Sequence, residues 1–131
     1  MKLLIIDDSQ DVTDLFVKVL STIGHKVIAR DNGKDGLEII NEQKFDAVFL
    51  DIAMPDFSGL DVIDSLLENG KIDDSAIVLF TASSITDDEV NDLIKKGVHS
   101  CIRKPVRIET LLEKIDELSQ IHSAVTTTKS G

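Results

Sequence analysis

Charged and hydroxyl side chains in this sequence come directly after short segments of strand length. Asp7-Asp8 follow LLII, Asp51 follows VFL, Thr81 follows AIVLF and Lys104 follows SCIR. Three carboxylates brought close together repel one another and require a counter-charge. A hard divalent cation meets that need, and Mg²⁺ suits a few carboxylates combined with water and a phosphate. Lys104 and the Thr81 hydroxyl would add a cation and a donor for an anionic group.

Strands that end at one edge of a sheet would bring these groups together. Apolar runs of strand length alternate along the chain with segments of helical periodicity. Strands are predicted at residues 2–6, 26–30, 46–50, 76–80 and 100–103. Helical patterns follow them at residues 12–23, 37–40, 59–68, 87–96 and 108–118. The chain is therefore predicted to consist of five consecutive βα units.

The composition of the predicted strands indicates how the sheet is covered. The first, third and fourth are apolar throughout, as strands covered on both faces are. Five such units predict a parallel sheet between two layers of helices. A closed barrel needs about 250 residues, so an open, doubly wound α/β sheet is the expected fold. Ligands of such sheets lie at the carboxyl ends of the strands, where the polar groups collect.

The length of the chain predicts one domain, and the pattern of its last residues predicts a tail. A chain of 131 residues with 42% hydrophobic residues is long enough for a single core. The domain is predicted to cover residues 1–122. Residues 123–131 lack apolar periodicity and are expected to be a flexible tail or the start of a linker.

Charge and cysteine content limit the class of protein further. The net charge of −10 argues against direct binding to nucleic acid or to an anionic membrane. Cys101 is the only cysteine, so no internal disulfide is possible and a reducing compartment fits. The apolar run after Lys2 has four residues, too few for a signal peptide or a membrane span. A cytoplasmic location is expected.

Taken in order, the motifs resemble those of the receiver domain, the phospho-accepting module of two-component response regulators. The matching motifs are Asp7-Asp8, the strand end FLDIAMP, the loop MPDFSG, Thr81-Ala82 and Lys104-Pro105. The resemblance extends from Met1 to about Ile121. It implies a flavodoxin-like (βα)5 fold with the strand order 2-1-3-4-5.

The resemblance implies a role for each polar group. Asp51 would be the nucleophile that takes a phosphoryl group from a sensor histidine kinase or a histidine phosphotransfer protein. Thr81 and Lys104 would each contact an oxygen of that group, because phosphoryl transfer depends on neutralising its charge. The implied Mg²⁺ ligands are Asp8, Asp51, the backbone carbonyl of Ala53 and, through water, Asp7.

The loop after Asp51 is expected to keep the site open. Pro55 would bias Met54 away from helix, so that the Ala53 carbonyl can face the metal. Gly59 would allow the turn into the next helix. The small Ala53 side chain would leave the phosphoryl group accessible to water.

The same resemblance implies a signalling module and not a turnover enzyme, one that catalyses its own phosphotransfer and dephosphorylation. Phosphorylation would alter the face made by the fourth helix, fifth strand and fifth helix. The implied partner there is a downstream protein effector or a fused output domain, and dimerisation on phosphorylation is possible. Many receivers carry Tyr or Phe three residues before the lysine. Here that switch position is Cys101, so Thr81 would act without an aromatic partner.

Other interpretations exist for the single residues and for the whole pattern. Alone, Asp7-Asp8 could be a turn and helix cap, and Lys104 could be a solvated turn lysine. A scaffold of the same fold that works without phosphorylation is the alternative function. A phosphatase with an aspartyl nucleophile is disfavoured because Ala53 stands where those enzymes favour a second acid. A flavodoxin-like cofactor binder is disfavoured because acids follow the first strand.

Overall fold

In the part of the chain that the structure describes, five strands and five helices alternate, as predicted. The structure, a computed structural model, describes the backbone of residues 1–82 and 84–130 and the side chains of residues 1–82 and 84–120. The strands are β1 Lys2–Ile6, β2 Lys26–Arg30, β3 Ala47–Asp51, β4 Ala76–Thr81 and β5 Ser100–Arg103. The helices are α1 Gln10–Thr22, α2 Gly33–Glu42, α3 Gly59–Glu68, α4 Asp87–Lys96 and α5 Ile108–Ser130.

The strands form one parallel sheet in the order β2-β1-β3-β4-β5. This confirms the doubly wound α/β fold and the strand order that the resemblance implies. The register sets the carboxyl ends level with one another: Ile6 pairs with Leu50, Asp51 with Phe80, and Thr81 with Arg103. Residues that follow these ends therefore meet at one edge of the sheet.

Successive residues of a strand face opposite layers of the core. Leu4 and Ile6 of β1 belong to the cluster with α2, α3 and α4, whereas Leu3 and Ile5 belong to the cluster with α1 and α5. All four side chains are fully buried. Both faces of the sheet are covered, which explains why the central strands are apolar throughout.

Side-chain caps set where the first four helices begin. The caps accept a hydrogen bond from the backbone N–H three residues ahead, and they are Ser9, Asn32, Ser58 and Thr86. Ser58 and Thr86 form complete capping boxes with the acids three residues later. These caps satisfy backbone donors that the first turn of a helix leaves free, and they set the residue at which each of the four helices starts.

The bounds of five elements differ from the predictions. α1 and α2 begin at Gln10 and Gly33, before the first residues of their predicted patterns. β3 begins and ends one residue later than predicted and includes Asp51, and β4 includes Thr81. Both are paired with the neighbouring strand, which places these side chains in the sheet itself. α5 continues to Ser130, past the boundary predicted at residue 122. The side chains of 121–130 and all of Gly131 lie outside the described residues, so the division into domain and tail stays a prediction.

No helix in the described part of the chain combines the length and the apolar character needed to cross a membrane.

Candidate functional site

Asp51, the last residue of β3, lies at the centre of the carboxyl edge. Its side chain is 1% exposed, and Lys104 Nζ lies 2.7 Å from its Oδ1 atom. The backbone N–H of Ala53 donates to the same oxygen at 3.1 Å. Among the described residues, both donors to this carboxylate use Oδ1, which leaves Oδ2 for another partner. A buried carboxylate needs such compensation to remain charged.

Strand pairing brings Lys104 to this carboxylate. Lys104 directly follows β5, and its backbone N–H donates to the carbonyl of Thr81 at 2.7 Å. The pairing of β4 with β5 thus continues one residue past the strand ends. The lysine side chain is 39% exposed, so it covers Asp51 from the solvent side.

Two further carboxylates flank Asp51 from the end of β1. Oxygens of Asp7, Asp8 and Asp51 all lie within 4.8 Å of one another. Asp7 is 3% exposed and Asp8 is exposed. The backbone holds Asp7 in place: its N–H donates to the carbonyl of Arg30 at 3.1 Å, and Ser9 N–H donates to its Oδ1 at 2.9 Å. The predicted three acids are therefore brought together.

The environment of Asp7 reflects the shortage of positive charge in this cluster. Burial raises the pKa of the Asp7 carboxyl above its usual value, and the charges of Asp51 and Asp8 raise it further. The hydrogen bond from Ser9 and the charge of Lys104 lower this pKa, but they do not offset the other effects. One lysine is too little cation for three acids, so the cluster favours an additional positive ion.

A divalent cation fits these residues. Carboxylate oxygens are the ligands that Mg²⁺ prefers, and it binds through a small number of them together with water. Asp8, Asp51 and Asp7 present such oxygens at the required proximity. Among the residues that the structure describes, these three acids are the His, Cys, Asp or Glu side chains that lie close enough together to share one ion.

A cavity of about 650 Å³ opens in front of the carboxylates. Its polar wall carries the three acids and Lys104, and its apolar wall is formed by Val12, Phe16, Phe80 and Val106. The Phe80 ring centroid lies 5.9 Å from that of Phe16 and 6.0 Å from that of Phe49, so this wall is continuous with the core. The apolar wall was not anticipated. Its signal lay in the α1 periodicity, which contains Val12 and Phe16.

A second cavity, of about 620 Å³, lies at the opposite end of the sheet beside Phe45, Asp46 and His99. It has a similar size but holds no group of side chains found close enough to share an ion, among the residues described. Cavity size alone therefore does not identify the site, whereas the convergence of charged groups does.

Thr81 lies next to the site but points elsewhere. Its side chain is fully buried, and its hydroxyl donates to the carbonyl of Ile102 at 3.5 Å. The adjoining Ala82, not Thr81, lines the cavity. Cys101 is half-buried against the layer of α2, α3 and α4. Burial raises the pKa of its thiol more than the nearby Arg103 charge lowers it, so the thiol stays neutral at pH 7.

The loop after Asp51 is anchored at two points. Met54 is 6% exposed and packs in the core. Asp56 has a φ of 66°, and Phe57 N–H donates to the Pro55 carbonyl at 2.7 Å, which closes a tight turn around Asp56. Ala53 lies between this turn and Asp51 and is exposed to the cavity.

Gly59 is required for space, which differs from the expected reason. Its N–H donates to the Ile52 carbonyl at 3.1 Å. A Cβ atom at Gly59 would lie 2.6 Å from the Asp51 carbonyl oxygen and 2.7 Å from Ile52 Cα. Its φ is not in the left-handed region, where the positive-φ glycines are Gly24, Gly70 and Gly97. The missing side chain lets α3 begin directly against the end of β3.

Arg103 makes contacts that the sequence did not predict. Its Nη2 lies 2.8 Å from Asp87 Oδ1, and its Nη1 donates to the carbonyl of Ile85. These contacts link the end of β5 to the start of α4. In the sequence Arg103 was only the last residue of a short strand, and nothing there indicated which segment its side chain reaches.

The chain matches known proteins over most of its length. The family model described as "Response regulator receiver domain" matches residues 3–116. The transcriptional regulatory protein DltR of Streptococcus agalactiae serotype III (strain NEM316) is 36% identical over 115 residues, which are 88% of this chain and 50% of DltR. The chemotaxis protein CheY of Listeria monocytogenes serovar 1/2a (strain EGD-e) is 30% identical over 121 residues, 92% of this chain and 99% of CheY.

A solved structure agrees with both comparisons. The crystal structure of a CheY-like response regulator receiver domain protein from Methanospirillum hungatei JF-1 has a TM-score of 0.74 and 32% identity. The match covers 86% of this chain and 89% of that one. The chain thus spans about half the length of the first relative and almost the whole length of the second.

Proposed function

The chain belongs to the response regulator receiver domains of two-component systems, and from that premise we propose that it accepts a phosphoryl group on Asp51. The observation that carries the proposal is the buried Asp51 carboxylate, paired with Lys104 and flanked by Asp7 and Asp8 at the floor of an open cavity. A nucleophile, a cation and a metal-binding set are the parts that phosphoryl transfer requires.

The transfer needs one oxygen of Asp51 to attack phosphorus in line with the leaving group. Oδ2 is suited to this role because Lys104 and the Ala53 N–H both occupy Oδ1. The new O–P bond forms as the donor's P–N bond breaks, and the donor nitrogen keeps the bonding electron pair. A phosphohistidine of a sensor histidine kinase or a histidine phosphotransfer protein fits as donor, since the cavity leaves room for an imidazole ring beside Val12 and Val106.

Charge neutralisation is divided between the chain and a metal ion. Asp8, Asp51 and the backbone carbonyl of Ala53 would hold Mg²⁺, with Asp7 acting through water. When bound, the ion supplies positive charge to the phosphoryl oxygens. Lys104 would move its ammonium group from the free carboxylate to a phosphoryl oxygen, a shift that its partly exposed side chain permits.

Thr81 would couple the site to the rest of the molecule. To bond a phosphoryl oxygen, its hydroxyl must leave the Ile102 carbonyl and turn towards the cavity. That change would alter the segment between β4 and α4 and the face made by α4, β5 and α5. A downstream effector or an output domain would respond to this change if it binds one of the two states of that face more tightly. Cys101 would accommodate the change as a small neutral group in place of an aromatic ring.

The direct test is phosphorylation by acetyl phosphate with Mg²⁺, followed by intact-mass measurement. The wild type is expected to gain one phosphoryl group and to gain none when EDTA replaces Mg²⁺. Asp51→Asn should gain none under either condition, while Asp46→Asn, which changes an acid at the other end of β3, should behave as the wild type. Equal labelling of Asp51→Asn would contradict the proposal, and an unlabelled wild type would favour a phosphorylation-independent scaffold.

A further inference from the structure

Arg103 connects the end of β5 to the segment that follows β4. Its guanidinium donates through Nη1 to the carbonyl of Ile85 and through Nη2 to Asp87 Oδ1, the second at 2.8 Å. The planar guanidinium can hold two acceptors in a fixed arrangement, which a lysine cannot. We call these two contacts the Arg103 bridge.

The bridge closes a ring of contacts around the peptide unit of Thr81 and Ala82. The backbone of Arg103 pairs with Thr81 in the sheet. Ile85 N–H donates to the carbonyl of Ala82 at 3.2 Å, and the Ile85 carbonyl in turn accepts from the Arg103 side chain. A displacement of Thr81 and Ala82 towards the cavity is therefore opposed by the contacts of Arg103.

The bridge matters only if this peptide unit moves, so the inference rests on the proposed function. In the structure the Thr81 hydroxyl faces Ile102 and not the cavity. Under the proposed function, this orientation of Thr81 is the one that precedes phosphorylation. The Arg103 bridge is present together with it.

We propose that Arg103 is a positioning residue that stabilises the unphosphorylated arrangement of the β4–α4 segment and so limits how readily Asp51 accepts a phosphoryl group. A contact made in only one of two states shifts the equilibrium by its own free energy. The bridge is partly exposed, with Arg103 at 40% and Asp87 at 93%, and exposed ion pairs are weak. Loss of the bridge should therefore raise the initial rate of phosphorylation about two- to five-fold.

The test compares initial rates of labelling by acetyl phosphate and Mg²⁺ for four proteins and the wild type. Arg103→Met removes both contacts, and Asp87→Ala removes one. Arg103→Lys keeps the charge but can hold only one acceptor firmly, so its rate should be intermediate. Lys114→Met is the matched control, because it deletes a cation paired to Glu117 at 2.8 Å on α5 without touching the segment after β4.

A second readout separates positioning from a purely structural role. If Arg103 only supported the fold, Arg103→Met would lower the melting temperature and would not raise the rate. The bridge instead predicts faster labelling together with faster exchange of the Ile85 amide in the unphosphorylated protein. A fifth variant, the double substitution Arg103→Met with Asp87→Ala, should label as fast as Arg103→Met alone, because Arg103→Met already removes both contacts of the bridge.

The outcomes distinguish the inference from the function on which it rests. Faster labelling of Arg103→Met, with Lys114→Met at the wild-type rate, supports the bridge. Unchanged or slower labelling of Arg103→Met, with a wild type that takes its phosphoryl group on Asp51, overturns the bridge and leaves the proposed function standing. A wild type and a Lys114→Met control that both remain unlabelled overturn the proposed function, and the inference with it.

Discussion

Three acids share one lysine at the carboxyl edge of the sheet. Asp51 and Asp7 are almost completely buried, and Lys104 contacts Asp51 at 2.7 Å. Burial is the main reason that the pKa of the Asp7 carboxyl is raised, and the charges of Asp51 and Asp8 raise it further. Such a site is unfavourable for the free protein but well suited to binding a cation and a phosphoryl group together.

The ion pair between Lys104 and Asp51 predicts how the stability of the fold depends on Lys104. Lys104→Met leaves the buried Asp51 carboxylate beside two acids without its cation. We expect a loss of about 1–3 kcal/mol in the free energy of unfolding, below the value for a fully buried pair because Lys104 is partly exposed. Urea unfolding in EDTA measures this loss, with Lys114→Met as the control for an ion pair on α5, away from the site. Asp51→Asn removes the charge that Lys104→Met leaves unpaired. The double variant Lys104→Met with Asp51→Asn should therefore recover most of the lost free energy of unfolding. No recovery would mean that the ion pair is not the cause.

The types of the site residues could be predicted from the sequence, but not all of their contacts. Asp7, Asp8, Asp51 and Lys104 lie at the ends of predicted strands, and parallel strands bring such positions together whatever the details of packing. The Arg103 bridge depends on how far β5 extends beside β4 and where α4 begins. No local pattern encodes that relation.

Secondary-structure elements fix Asp51 from two directions. β3 pairs with β4 along its whole length and with β1 up to Leu50, and α3 begins close against the end of β3 through Gly59. The alternation of elements was predictable because β1, β3 and β4 are apolar runs and the first four helices each have a side-chain cap. The reason for Gly59 was not, since the sequence does not reveal which backbone passes within 3 Å of it.

The close packing of Gly59 against the end of β3 predicts the effect of adding a methyl group at this position. Gly59→Ala would place Cβ against the Asp51 carbonyl oxygen and Ile52 Cα, which are backbone atoms and cannot rotate away. We expect a loss of about 1–3 kcal/mol in the free energy of unfolding and slower phosphorylation of Asp51. Leu60→Ala, at the neighbouring exposed position, is the control and should change both quantities little. Equal effects of the two substitutions would show that the contact at Gly59 is not limiting.

At the scale of the whole molecule, the site is connected unequally to the two ends of the strand order. Thr81 pairs with β5, and Ala82 bonds to Ile85 just before α4, whereas α2 contacts β2 at the other end of the order. A change at Asp51 is therefore expected to spread towards β5. The chain spans about half of DltR but nearly all of CheY, and the receiver fold serves both.

This asymmetry predicts where amide exchange responds to phosphorylation. Residues 84–94 and 100–103 should change their exchange rates, because Thr81 and the segment after it rearrange. The amides of α2, Gly33–Glu42, should keep their rates and provide an internal control. Exchange measured by mass spectrometry with and without acetyl phosphate reports both regions. A response confined to α2 and α3 would refute the proposed route.

The most direct measurement of the central claim locates the phosphoryl group itself. The protein is phosphorylated with acetyl phosphate and Mg²⁺, the acyl phosphate is reduced with borohydride, and the reduced residue is identified by peptide sequencing. Asp51 is expected to be recovered as homoserine in the phosphorylated sample, and to remain aspartate when EDTA replaces Mg²⁺. Reduction at Asp7, Asp8 or any acid other than Asp51 would contradict the account.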